Sequence, residues 1–130
     1  MAVGYSPKLP LLIDSVDGFY KLNKTLGEVV KQNLKMIILT SPGERIMEPD
    51  FGVGARNYLF DSKRASFQNL KSKIIQQVEK YLPYIRIVKI STADSSQENS
   101  SSDAQTLGIS IAYNIPNMNL SESMTITISA

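Results

Sequence analysis

LGISIAYNI, residues 107–115, and LSESMTITI, residues 120–128, decide the fold class. In the first, Leu107, Ile109, Ile111, Tyr113 and Ile115 alternate with Gly108, Ser110, Ala112 and Asn114. In the second, Leu120, Met124, Ile126 and Ile128 alternate with Ser121, Ser123, Thr125 and Thr127. A period of two puts every apolar side chain of a strand on one face, so each segment reads as a half-buried strand. The link from Pro116 to Asn119 is too short for a crossover and predicts an antiparallel hairpin. Upstream, Ile85 to Ile90 is a compact apolar run, with Ile85 and Ile87 on one face and Val88 and Ile90 on the other. That predicts a strand covered on both sides.

Before Pro83 the period is 3.6. Phe67, Leu70, Ile74, Val78 and Tyr81 recur at helical steps, which predicts a helix over 63–81 ended by the proline. Thr25 and Glu28 have the spacing of a capping box, and Leu26, Val30, Leu34 and Ile37 continue it at helical spacing, with Val29 and Ile38 beside them. A helix over about 25–39 follows, stopped by Ser41-Pro42-Gly43. Leu9 to Ile13 reads as extended, Asp14, Ser15, Asp17 and Gly18 as a turn, and Phe19 to Leu22 as a returning strand. Arg45-Ile46-Met47 predicts a brief strand, and Ala55 to Phe60 one or two helical turns. Ser95 to Asp103 has no apolar residue to bury, which predicts a flexible loop over 95–103 inside the domain. Together these elements predict one α+β domain over 1–130. Two main helices pack on an antiparallel three-stranded meander, with a short amino-terminal extended segment at its edge or end.

Composition narrows the chemistry. The 130 residues are 42% apolar and 20% charged, carry a net charge of +2, and include no cysteine, histidine or tryptophan. Thiolate and imidazole nucleophiles, bases and metal ligands are therefore absent from this chain, and no cofactor is expected. Carboxylates remain: Glu44, Glu48, Asp50 and Asp61 offer the acid pair that a glycosidase uses. Interleaved with Arg45 and Arg56, they read equally as surface ion pairs and loop anchors. No D-x-D-x-D-G calcium loop is present. Gly52-Val53-Gly54 begins like a phosphate loop, but Asn57 stands where a third glycine belongs, and a tight turn explains both glycines. Lys63, Arg64, Lys71, Lys73 and Lys80 are spread around the long helix, so they read as a solvated face rather than a nucleic-acid surface. No apolar run reaches the roughly 20 residues a bilayer requires, and the first ten residues lack a signal-peptide core. No membrane or nucleic-acid partner is expected, and a soluble protein made in the cytoplasm is.

The last strand points to a function. Ser121 to Ser129 has high β propensity, one charge at Glu122 and no internal proline or lysine. At a sheet edge, such a strand leaves its N–H and C=O groups open to pairing with another chain. An edge covered by the amino-terminal segment is the competing reading.

The string SPGERIMEPDFGVGARNYLF, residues 41–60, resembles the baseplate wedge and sheath-initiator family of contractile phage tails, the gene-product-W type, which includes the matching component of type VI secretion systems. The family segment looks like T-x-P-G-E-R-x-M-x-P-x-F-G followed by L-F. Thr40, Pro42, Gly43, Glu44, Arg45, Met47, Pro49, Phe51, Gly52, Leu59 and Phe60 fall on it in register. The likeness extends to the amino-terminal Pro10, Leu11 and Asp14, both helices and the closing strands. It implies a small non-enzymatic subunit that docks on larger wedge proteins, lies against the tail tube, and templates the sheath subunit through carboxyl-terminal strands. Those strands carry Leu120, Glu122, Met124, Ile126 and Ile128. It further implies a virion location, the tail baseplate, with assembly in the host cytoplasm and six copies per particle. The family's Glu-Pro-Arg after the long helix reads Leu82-Pro83-Tyr84 here, with Arg86 two residues on. The expected wedge contact is therefore apolar, through Leu82, Pro83 and Tyr84, with Arg86 as a displaced guanidinium. The family has also carried a lysozyme-like label, so a peptidoglycan hydrolase using paired carboxylates is the alternative.

Overall fold

The computed structural model describes residues 4–16, 18–60, 63–94 and 106–129. In chain order they form β1 (Ser6–Pro7), β2 (Leu22–Asn23), α1 (Leu26–Leu39), a 3-10 turn (Ala55–Phe60), α2 (Lys63–Tyr81), β3 (Arg86–Asp94), β4 (Thr106–Ile115), a short 3-10 turn (Pro116–Met118) and β5 (Leu120–Ser129). The expected α+β class is present, with one addition: β1 and β2 pair into a small second sheet. The chain divides into two units, 1–35 and 36–130, with the boundary inside α1. The predicted 95–103 loop lies outside the described residues.

In the larger unit, the sheet is antiparallel in the order β3-β4-β5. The β4–β5 register runs unbroken from Thr106 opposite Ser129 to Ile115 opposite Leu120. Ile109, Ile111, Tyr113 and Ile115 are buried, as are Met124, Ile126 and Ile128, so one face of the hairpin builds the core as the alternation requires. The turn between them closes with Asn119 at φ 49, its N–H bonded to the Pro116 carbonyl. Asparagine tolerates that left-handed conformation better than most side chains.

β3 departs from the sequence reading. Ile87 faces Tyr113 and Lys89 faces Ala112, which leaves Val88 as an extra residue in a β-bulge. The bulge shifts the parity, so Ile87 opposite Tyr113 and Ile90 opposite Ile111 share the core face although their numbers differ by three. Val88 is therefore 71% exposed and the strand is not covered on both sides.

Both helices begin and end close to their predicted bounds. The Glu28 N–H donates to Thr25 Oγ1 at 3.3 Å, and Glu28 Oε2 accepts from the N–H groups of Lys24 and Thr25 at 3.0 and 3.2 Å. These reciprocal bonds satisfy donors that a helix start leaves open. The two backbone bonds, Lys24 first, hold the Glu28 carboxyl below its usual range. In α2, Leu70, Ile74 and Val78 are buried, and so is Gln77.

In the smaller unit, the predicted strands are displaced. Ser6 pairs with Asn23, Pro7 with Leu22, and Ile13 forms a lone bridge with Tyr20. Pro7 and Pro10 have no N–H to give a longer ladder. Polar side chains do the fastening instead: buried Asn23 donates to Ser6 Oγ and to Gln32 Oε1 (2.8 Å), while Gln32 Nε2 donates to the Pro7 carbonyl.

Candidate functional site

The family-like segment forms a fastened loop between α1 and α2. The Val53 N–H donates to the Ile37 carbonyl and the Gly54 N–H to the Thr40 carbonyl, both at 2.9 Å, which ties the returning limb to the end of α1. Within the loop, the Gly43 N–H donates to the Pro49 carbonyl at 2.7 Å. That bond closes a ring over 43–49, and the expected strand at Arg45-Ile46-Met47 does not form. Ile46 and Met47 turn outward, 95% and 90% exposed.

α2 holds the other limb through Gln77. Its Oε1 accepts from the Gly52 N–H and its Nε2 donates to the Asp50 carbonyl, both at 3.0 Å. A side-chain amide thus mimics a strand partner for a loop that has none. Gly52 is buried at φ +108, and a Cβ there would run into the Thr40 carbonyl, so glycine is required on two grounds. Phe51 packs edge-on against Tyr81 at 4.8 Å between ring centroids, and the Arg45 guanidinium sits 4.0 Å over the Phe51 ring. Gln77 was missed by the sequence reading. Its signal was position, one turn past Ile74 on the face that Leu70 and Val78 bury.

Two carboxylates of this loop, Glu44 and Glu48, accept hydrogen bonds. Glu44 Oε2 accepts from the Ser41 N–H at 3.0 Å, and Glu48 Oε2 takes a long 3.5 Å bond from the Tyr81 hydroxyl. Asp61 lies outside the described residues, as do the side chains of Leu59 and Phe60. Pro42 and Pro49 are exposed. Among the described residues, no group of three or more Asp, Glu, His or Cys is gathered to hold a metal, and no helix is long and apolar enough to cross a membrane.

The α2–β3 corner is a separate surface. The Leu82 N–H bonds back to the Val78 carbonyl and the Ile85 N–H to the Leu82 carbonyl, so the chain reverses at Pro83-Tyr84. Leu82 and Ile85 are buried, which removes Leu82 from the residues offered to a partner; Pro83, Tyr84 and Arg86 remain exposed. Beside the corner is an open cavity of about 430 Å³ lined by Ile75, Val78, Glu79, Pro83, Ile85, Arg86 and Ile87.

The third surface is the β5 edge. β5 pairs with β4 on one side and, among the described residues, with no strand on the other. Met124, Ile126 and Ile128 point into the core, so they offer an incoming chain backbone rather than side chains, while Ser121, Ser123, Thr125 and Thr127 are exposed. Leu120 is half-buried. Glu122 shares the parity of the core residues and accepts from the Tyr113 hydroxyl at 3.1 Å. Burial, reinforced by that bond, pushes the Tyr113 hydroxyl up to about 12.

Comparison with known proteins adds the family. Residues 24–119 match the family described as baseplate wedge protein gp25. Among solved structures, a chain of the anti-feeding prophage baseplate, determined by cryo-EM with 6-fold symmetrisation, is 23% identical with a TM-score of 0.67, over 84% of this chain and 82% of that one. A Geobacter sulfurreducens protein described as a tail lysozyme is 21% identical with a TM-score of 0.64, over 83% and 94%. Identities this low establish a shared fold. No curated protein matches the chain in sequence.

Proposed function

The chain belongs to the baseplate wedge protein gp25 family, and from this premise we propose that it is a structural subunit of a contractile-tail baseplate that templates the sheath through strand pairing at β5. The observation that carries the reading is the ten-residue β5 edge, paired on one side only among the described residues and free of bulges and outward charges. Free N–H and C=O groups in such a row are a ready partner for an extended segment of the sheath subunit. The larger wedge proteins dock at Pro83, Tyr84 and Arg86, beside an open cavity whose lining mixes apolar side chains with Glu79 and Arg86. The subunit faces the tail tube, works in six copies and is assembled in the host cytoplasm. No cofactor, membrane or nucleic acid enters this role.

Removing β5 altogether would remove Met124, Ile126 and Ile128 from the core, so the test acts on the edge alone. Ser123→Lys with Thr127→Lys places two charges on the exposed face. Baseplates built with this variant should form but fail to grow sheath; normal sheath would refute the mechanism. Tyr84→Asp should weaken co-purification of wedge partners without lowering the melting temperature, and unchanged recovery would refute the corner as a docking site.

The fold likeness to a protein described as a tail lysozyme motivates a second reading, peptidoglycan hydrolysis by Glu44 and Glu48. Against it, Glu44 is engaged with the Ser41 N–H and Glu48 with the Tyr81 hydroxyl, and neither lines the cavity. A turbidity assay on peptidoglycan decides: clearance that disappears in Glu44→Gln or Glu48→Gln would establish the enzyme.

A further inference from the structure

The sheet has two edges, and they differ. Along β5 the ladder to β4 is continuous over ten residues, and its only charged residue, Glu122, is bonded to Tyr113. Along β3 the ladder breaks at Val88, an unpaired residue left 71% exposed, flanked by the exposed charges of Arg86 and Lys89. A bulge twists an edge out of the plane that an incoming strand needs, and edge lysines resist desolvation; both are devices that blunt strand addition.

We propose that the sheet accepts a partner strand on β5 alone, because the Val88 bulge with Arg86 and Lys89 closes β3. This rests on the reading of β5 as a strand-pairing edge. The occupant that fits is an extended segment of a different chain, up to ten residues and so about 33 Å long. Apolar residues alternate in it with small hydroxyl-bearing ones. Its apolar side would continue the row of Met124, Ile126 and Ile128, and its polar side the row of Ser123, Thr125 and Thr127. Growth is then one-directional: a partner extends the sheet past β5, while β3 ends it.

The bulge makes this testable by one deletion combined with removal of the two charges beside it. Taking out Val88 joins Ile87 to Lys89 and keeps Ile87 opposite Tyr113, Lys89 opposite Ala112 and Ile90 opposite Ile111, so the core face is preserved while the edge becomes regular. The probe is a peptide with the pattern of residues 120–129 carrying a nitroxide, read by paramagnetic broadening of backbone amides. In the wild type, broadening is expected at β5 and not at β3, with one peptide per chain. In the deletion variant that also carries Arg86→Ser and Lys89→Ser, so that bulge and charges are both gone, it is expected at both edges, with two peptides per chain. Broadening at β3 in the wild type overturns the proposal whether or not the variant folds, as does a folded variant that still binds one. Absence of binding at β5 in the wild type instead refutes the strand-pairing reading beneath it. Self-association of the wild type through β5 would make the occupant a second copy and overturn the choice of a different chain.

Discussion

Replacing Gln77 with methionine isolates the hydrogen bonds that hold the family segment. Methionine is close to glutamine in length and volume, so no cavity opens in α2's buried face, and the change removes one donor and one acceptor. The Gly52 N–H is left buried without its partner, which costs about 1–3 kcal/mol, and the more exposed Asp50 carbonyl regains water at a net loss of about 1 kcal/mol or less. The expected total is about 2–3 kcal/mol. Urea unfolding should show it as a lower midpoint at unchanged slope, and the melting temperature should fall by roughly 10 °C. Hydrogen exchange locates the effect: the Gly52 amide should exchange on the order of 30- to 100-fold faster, since each 1.4 kcal/mol is tenfold. Gln77→Glu adds a sign test. When protonated it can make both bonds, so its stability should be near wild type in acid and fall as pH rises and a buried charge forms. A loss below 0.5 kcal/mol for Gln77→Met, or a Gly52 amide that stays protected, would refute the idea that this amide anchors the loop.

Gly52→Ala should cost about 3 kcal/mol or more by thermal melting, because a side chain is disfavoured at φ +108 and its Cβ meets the Thr40 carbonyl that bonds Gly54. Thr25→Ala should cost about 1 kcal/mol in urea titrations by removing a cap. The lowered Glu28 carboxyl contributes stability above the ordinary carboxylate range and loses it as pH falls through the folded value; Glu28→Gln should flatten that acid limb. The raised Tyr113 hydroxyl works in the opposite direction, contributing below pH 10 and losing its contribution as pH climbs toward about 12. Wild type should lose roughly 2 kcal/mol over that alkaline interval, whereas Tyr113→Phe should not.

Much of this architecture is legible before folding, and the illegible parts share a cause. The β4–β5 hairpin follows from alternation because its pairing partner is next in sequence and its link is four residues long. α2 follows from a stripe and a proline, and α1 from a stripe and a capping pair. The surprises fall where partners are distant in sequence. The 43–49 ring depends on Gly43 meeting the Pro49 carbonyl, and the outer limb depends on a glutamine 25 residues beyond Gly52. A triplet such as Arg45-Ile46-Met47 carries strand propensity, but a strand requires a neighbour, and the loop closure denies it one.

The candidate surfaces divide in the same way. That the last strand carries one charge and no internal proline or lysine is visible in its composition, but that it stands at an edge among the described residues is a property of the sheet order, which no local pattern contains. Leu82 is expected as a partner contact because it falls on the family's Glu-Pro-Arg position, yet its N–H continues the α2 ladder and its side chain is buried. The Val88 bulge is the clearest case. In sequence, Ile85 to Ile90 alternates as a strand buried on both faces; only pairing with β4, where Tyr113 and Ile111 both demand an apolar opposite number, forces an extra residue out. The sequence alone determined the family segment, the two helices and the alternating hairpin, because each depends on spacing within a few residues. Tertiary structure decided which strands stand at the sheet's edges, where β3 bulges and what fastens the loop, because those depend on which backbone groups find partners across the fold.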